Sequence, residues 1–367
     1  MRYTAFTLQT DSAVRRTTRG AMTLVELLVV VAILGLLSAV VLPAIGTTTD
    51  ARRYREAGRS LSTFIARSQS RGINSDDAKG FLIQPLATDP SAAIDLYFAN
   101  APNAYAGGLA SSRAVVNVGT FASQLAVAFV LDGVDSNGDG NLDSDSFTLS
   151  QLAQPGFCTT GDLMQFGGAG PFFEFVPPPS GGPLIRMRGD FNQSPRNTAW
   201  PRTSASGAPF RILPQPRRAS SGLLQLQRGT AIDIAWSCLG GRTLGMGGII
   251  AAAAQQAPVA VMFDSAGKPS ELIHSGGLRT RITEPLFLLI GSLDAAGNEY
   301  VAAANTSTGL EPDQRVGANW QYADSVWLCI DHNTGLVKQG PVAPAATTVY
   351  ESQRFIRLTV GLGVTEQ

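Results

Sequence analysis

The sequence predicts an α+β protein, in which one long N-terminal helix packs on an antiparallel, β-rich globular domain with a large insertion. Three observations predict it. Residues 22–45 form an almost uncharged apolar run, residues 50–72 repeat apolar side chains at helical spacing, and the remainder alternates short apolar runs with Gly- and Pro-rich turns. Such short runs bounded by turn residues are the pattern of strands.

The helix is predicted first. Residues 1–21 carry Arg2, Arg15, Arg16 and Arg19 against Asp11 alone, a net charge of +3. The next 24 residues, MTLVELLVVVAILGLLSAVVLPAI, hold a single charge, Glu26. As a helix rising about 1.5 Å per residue they extend about 36 Å, enough to cross a bilayer. Basic residues ahead of such a run hold that end in the cytoplasm, so the rest of the chain is expected beyond the inner membrane. A cleaved secretory signal has a shorter apolar region of about 7–15 residues and a small-residue site after it, which this run lacks. A lipoprotein signal needs a cysteine there, and none is present. A plain anchor leaves Glu26 unexplained, since a carboxylate in hydrocarbon costs on the order of 2.5–3.5 kcal/mol.

After the run, DARRYREAGRSLSTFIARSQSRG (50–72) places Tyr54, Ala57, Leu61, Phe64, Ile65 and Ser68 on one face and the arginines on the other. The spacing predicts an amphipathic continuation of the helix, with Gly72 as its stop. Strands are predicted at 79–86, 93–99, 184–189, 223–227, 231–239, 259–264, 285–291 and 325–331. His332-Asn333-Thr334-Gly335 is a turn leading into a last strand of a hairpin. The tail 352–361 reads equally as a short helix or a strand. The stretch 100–220 is rich in Pro, Gly and Ser, and reads as an inserted β subdomain with long loops or a partly mobile segment.

The residues R-G-A-M-T-L-V-E-L-L resemble the leader of type IV prepilins and type II secretion pseudopilins. In that family a prepilin peptidase cuts on the cytoplasmic side of the apolar run and N-methylates the new terminus. A cut between Ala21 and Met22 puts Glu26 at the family's fifth mature position. The same register puts Pro43 at its helix-kinking proline and Gly35 at a recurring small residue. The family carries Gly before the cut, whereas this chain has Ala21, with Gly20 one step earlier. The pieces ARSQSRGI, LQRGTAIDI, VMFDSAGKPSEL and VWLCIDHNTGLV resemble more loosely the H-type minor pseudopilin (FimT-like) branch, over about 22–100 and 220–345.

The resemblance implies a pilin-like fold. Its parts are a cleaved cytoplasmic leader (1–21), a helix (22–72) that spans the membrane over 22–45, an exported globular domain (73–345) with the insertion at 100–220, and a C-terminal tail (346–367). It implies a single-pass inner-membrane protein whose C-terminal domain is periplasmic or lies in an extracytoplasmic filament. It also implies a structural subunit of a type II secretion system or type IV pilus-like machine, with other pilin or pseudopilin subunits and the prepilin peptidase as partners. Glu26 is then expected to pair with a neighbouring subunit's N-terminus in the filament. Pro43 is expected to bend or loosen the helix. A rival reading is a pilin-like stalk that displays an adhesin or substrate-binding domain, and a third is a membrane-tethered enzyme.

Other chemistry is sparse. Twenty-eight Lys and Arg balance 28 Asp and Glu, which gives no footprint for nucleic acid. The histidines, His274 and His332, stand beside turn residues, no nucleophile elbow is present, and the chain is not expected to be an enzyme. AGKPS (266–270) reads as a turn, because Met262 replaces the first Gly of a phosphate loop and Pro269 follows the Lys. Asp135, Asn137, Asp139, Gly140, Asn141 and Asp143 match the first half of a calcium loop, but Ser146 occupies the twelfth position, normally Glu. A structural calcium site and a solvated acidic turn both remain open there. Cys158, Cys238 and Cys329 have neither zinc nor redox spacing. Cys238 and Cys329 both fall in predicted core strands, so a disulfide between them stands beside the alternative of two buried thiols.

Overall fold

A computed structural model describes residues 23–73, 79–117, 125–131, 158–159, 161–168, 170–176, 184–186, 207–245, 248–250, 257–274, 278–301, 317–343 and 345–362; of 39–49, 117, 125–131, 176, 184, 186 and 278 it describes the backbone alone. By its contacts the chain divides into two units, Met1–Thr48 and Thr49–Gln367. A helix, α1, is assigned over Leu24–Gly72. In the first unit its described apolar side chains stand open, from Val30 at 42% exposed to Leu24 at 80%.

The second unit is built on two antiparallel sheets. Strands β1 (Lys79–Pro85), β2 (Ala92–Asn100), β9 (Arg217–Gln225), β10 (Thr230–Leu239), β11 (Arg242–Thr243), β12 (Val259–Phe263), β13 (Pro269–His274), β14 (Leu278–Arg281), β15 (Leu286–Ser292), β16 (Val326–Ile330) and β17 (Val337–Pro341) form the larger one. Its order is β14-β13-β12-β1-β2-β10-β15-β16-β17, with β9 on β2 and β11 on β10. Strands β3 (Arg113–Asn117), β4 (Leu125–Leu131), β5 (Leu163–Phe166), β6 (Phe172–Val176), β7 (Leu184–Arg186) and β8 (Phe210–Leu213) form the second, ordered β3-β4-β7-β6-β5-β8. The second sheet has its own core, with Met164, Phe173, Phe175, Ile185, Phe210 and Ile212 at its centre. Two short helices near the C-terminus, α2 (Val349–Ser352) and α3 (Arg354–Thr359), complete the described elements used below.

At β15 and β16 the larger sheet is buried on both faces. On β15, Leu286, Leu288 and Ile290 face one cluster while Phe287 and Leu289 face another. On β16, Val326, Leu328 and Ile330 divide in the same way from Trp327 and Cys329. This is the two-residue strand period with apolar side chains on both sides, so these strands read as continuous apolar runs. The second half of α1 covers the first face through Tyr54, Ala57, Leu61, Phe64 and Ile65, all buried with Phe81, Val261, Phe263 and Leu288. Phe64 stacks on Phe98 of β2, with ring centroids 4.6 Å apart and planes 4° apart. Ile356 of α3 joins Phe287, Trp327 and Val342 on the opposite face.

The structure corrects the expected fold class. Most of the regular structure in the described chain is antiparallel sheet, so the protein is mainly β rather than an α+β, pilin-like fold. Among the described residues no helix is long and apolar enough to cross a membrane. The cause is residues 113–213, which contribute a complete six-stranded sheet where the sequence left open an inserted β subdomain or a partly mobile segment. The second half of α1 exposes Arg52, Arg53, Arg55, Arg59 and Arg67 along its outer face, as its spacing predicts, so the helix is not apolar throughout.

Candidate assembly surface

The start of α1 is capped. Thr23 Oγ1 accepts the Glu26 N–H at 3.2 Å, and Glu26 stands in the first turn. A threonine at the cap satisfies one of the amide donors left open at a helix start, and a carboxylate there complements the helix dipole. The sequence reading gave Glu26 only an intermolecular role. The Thr23-x-x-Glu26 spacing was the overlooked signal for this local one. Gly35 lies in open space, where an added Cβ would meet nothing within 4 Å. Pro43 falls within the assigned span of α1, and its side chain lies outside those described. Ala21 and Met22 lie outside the described residues, as does the loop of Asp135, Asn137, Asp139, Asn141 and Asp143. Among the described residues no group of three or more His, Cys, Asp or Glu is placed to hold a metal ion.

The second half of α1 is tied to β17 as well as packed on the sheet. Gln339 donates from Nε2 to the Arg55 carbonyl at 3.3 Å, across a helix surface kept bare by Gly58. At the end of α1, Gln69 donates to the Gly335 carbonyl in the turn before β17. Asp331 shapes that turn by accepting from the Asn333 amide and the Thr334 hydroxyl. His332 is half-buried beside Asp331, with Nδ1 3.6 Å from its Oδ1, and His274 is buried at the end of β13.

The expected Cys238–Cys329 disulfide is not formed, and all three cysteines are free and buried. Cys238 on β10 pairs with Phe287 on β15, and Phe287 pairs with Cys329 on β16. The two thiols are therefore separated by a whole strand. Two strand spacings are about 9.5 Å, beyond the reach of about 7 Å that a disulfide allows between Cα atoms. Burial pushes each thiol up to about 12, so they act as small core residues and not as nucleophiles. Cys238 Sγ is within 2.8 Å of the Gln353 Nε2 donor, and Gln353 Oε1 accepts from the Arg357 guanidinium. That guanidinium also donates to the Gly240 carbonyl and lies over the rings of Phe287 and Tyr350. Its charge is thereby held beneath α3 by hydrogen bonds and aromatic faces.

Asp233 is the polar centre that sequence reasoning missed. It is fully buried on β10, where the register with β15 shifts between Asp233 and Cys238. Its carboxylate accepts from Asn319 Nδ2 at 3.0 Å and from the Trp236 amide at 3.2 Å, and lies 3.4 Å from the Gly297 amide. Ser237 repairs the interrupted ladder, donating to the Asp233 carbonyl and accepting from the Leu289 amide. Burial pushes the Asp233 carboxyl up to about 7, against the lowering effect of these hydrogen bonds. Asn319 also accepts from the Ser292 amide and donates to the Ser292 carbonyl, so the cluster pins the short 3-10 turn Asn319–Gln321 to the sheet. The group is closed by its own partners and reads as structural.

Comparisons with protein-family models, with curated proteins and with solved structures each find no match to this chain.

Proposed function

We propose that the protein is a structural subunit of a type II secretion or type IV pilus-like filament. In this reading it is made as an inner-membrane precursor, cut between Ala21 and Met22 by a prepilin peptidase, methylated there, and assembled through its N-terminal helix. The observation that carries the proposal is a single register. One cut puts Glu26, Gly35 and Pro43 at three separate landmarks of prepilin-class helices, inside an apolar run whose only charge is Glu26 and which starts just after a basic leader. The open apolar side chains from Leu24 to Leu37 support it, because so large an apolar surface needs lipid or other helices around it. The proposal rests on leader and helix chemistry, not on the fold class. The domain beyond the helix is placed in the periplasm or on the filament, with other subunits and the peptidase as partners.

A second reading, a stalk that displays a binding domain, is favoured by one feature: the second sheet has a core separate from that of the larger sheet. Capture of an envelope or secreted protein by the chain from Thr49 onward, abolished by removing 100–220, would support it. Calcium at Asp135, Asn137, Asp139, Asn141 and Asp143 belongs to the same proposal as a structural clasp. Extracellular sites of this kind bind at about 10⁻⁴–10⁻³ M, so millimolar calcium is the proper test. The chain from Thr49 onward is expected to melt higher in calcium than in chelator, and Asp139→Ala to erase the difference. Equal melting in both conditions would leave an acidic turn.

The proposal as a whole is tested by isolating the native protein from membranes and sequencing its N-terminus. An N-methylated Met22 supports it, whereas a chain beginning beyond residue 45 contradicts it.

A further inference from the structure

The second half of α1 carries a cationic groove that its packing does not use. Arg52, Arg53, Arg55 and Arg59 line it with Glu56 and Gln227, enclosing about 530 Å³. Asp50 pairs with Arg53 at 3.2 Å and Glu56 with Arg59 at 3.8 Å. Arg52 and Arg55 have no anionic partner among the described residues, and both are exposed. Like charges three and four residues apart on a helix repel, by a few tenths of a kcal/mol per pair. Arg52–Arg55 and Arg55–Arg59 have those spacings, so the groove is improved by an anion from outside the chain. Arg228, exposed in the turn after β9 and next to Gln227, adds a further cation to that side.

The position of these residues in the chain selects the anion. Six residues, 46–51, lie between Ile45, the end of the apolar run, and Arg52. Even fully extended, that tether is no longer than about 25 Å. Arginine side chains on a helix lean toward its N-terminal end, which is the end where the apolar run lies. Their long apolar stems with charged tips suit the boundary between hydrocarbon and headgroups. A guanidinium presents a planar fork of donors that matches phosphate oxygens two at a time. We infer that this groove seats the phosphate headgroups of anionic phospholipids while the subunit waits in the membrane. The inference rests on the membrane-inserted precursor proposed above, and adds a binding surface to it. In this role the groove fixes the depth of the globular unit at the bilayer, and it must let go of lipid when the subunit leaves for the filament.

The test uses the full chain reconstituted in nanodiscs of phosphatidylcholine mixed with phosphatidylglycerol, released into detergent and weighed with its retained lipids by native mass spectrometry. Near an anionic surface each basic residue is worth about fivefold in binding. The wild type is therefore expected to retain phosphatidylglycerol in preference to phosphatidylcholine. The double variant Arg52→Gln/Arg55→Gln is expected to lose roughly 25-fold of that preference. Arg67→Gln, exposed on the same helix but outside the groove, is the control and is expected to keep it. Circular dichroism of each variant shows whether the fold is retained, and the single variants Arg52→Gln and Arg55→Gln are each expected to lose about fivefold. No preference in the wild type, or an equal loss in Arg67→Gln, overturns the inference. So does displacement of the lipid by millimolar inorganic phosphate alone, which would make the groove a site for the free anion, or retention of a second copy of the chain in place of lipid. Extraction of the full chain from membranes by alkaline carbonate would defeat the membrane reading itself. Stable insertion without lipid preference defeats only the groove.

Discussion

Glu26 carries two roles that one substitution can separate. Its first-turn position beside the Thr23 cap gives it a local value of about 0.3–1 kcal/mol to the helix start. Its proposed pairing with a neighbouring N-terminus is an assembly role. Glu26→Gln keeps a side chain able to serve a cap but removes the charge, so it is expected to leave precursor levels and cleavage near normal and to impair filament incorporation. Thr23→Ala is expected to do the opposite, loosening the helix start with little effect on assembly. Normal incorporation of Glu26→Gln, scored by crosslinking in sheared filaments, would count against the pairing. Asp233 yields a prediction in pH. Its carboxyl is held protonated up to about 7 in the folded state, against an ordinary value of 3.8. The folded state thus binds the proton more tightly. The contribution is fully present below pH 3.8 and is lost as pH rises to about 7, on the order of 4 kcal/mol across that window. Asp162, also raised by burial, adds in the same direction. Asp233→Asn is expected to flatten most of the decline measured by denaturant midpoints between pH 4 and pH 7.5, while a variant with the same slope as wild type would show that the carboxyl does not titrate there.

At the scale of elements, the strands with unbroken or alternating apolar runs were legible. β1, β2, β10, β12, β15 and β16 fall within a residue or two of their expected ranges; of AGKPS, Ala266, Gly267 and Lys268 lie in the turn between β12 and β13, while Pro269 and Ser270 open β13. Three things were harder to read. β10 was expected as a plain strand, but the polar residues Asp233 and Ser237 inside it mark a break in register that side chains bridge. The tail was ambiguous, although Thr348-x-x-Glu351 is a capping box that starts α2, and Thr23-x-x-Glu26 is the same signal on α1. The strands of the second sheet are short and separated by long Pro- and Gly-rich stretches, so no local periodicity joined them; only pairing across distant segments does. The choice between a Cys238–Cys329 disulfide and two buried thiols stayed open for a related reason, since sequence placed both cysteines in core strands but not which strand lay between; the structure has the two buried thiols. One close approach offers a direct test of the packing. Gly80 on β1 sits against the Val261 carbonyl and Met262 of β12, leaving no room for a Cβ. Gly80→Ala is expected to cost at least about 1–3 kcal/mol by forcing the strands apart, whereas Gly229→Ala, with open space around it but a positive φ, is expected to cost about 1 kcal/mol through backbone strain alone. Chemical denaturation of the two variants compares them.

For the whole molecule, the larger sheet gives stability and the first half of α1 gives the proposed mode of assembly. The sheet is shielded on one face by Tyr54, Leu61, Phe64 and Ile65 of α1, and on part of the other by Ile356 of α3. Truncating Leu61 or Ile65 to Ala is therefore expected to destabilise the domain by about 2–5 kcal/mol, without altering the leader or its cleavage. Changes in the run from Leu24 to Leu37 are expected to act on insertion and filament formation while leaving the sheet intact. This separation makes the N-terminus of the native protein the most direct measurement of the central claim. Mass spectrometry of protein purified from membranes or filaments of the cells that make it is expected to find a chain that begins at an N-methylated Met22 and retains residues 22–45. A native chain that begins after residue 45 would mean an ordinary cleaved signal and would contradict the account.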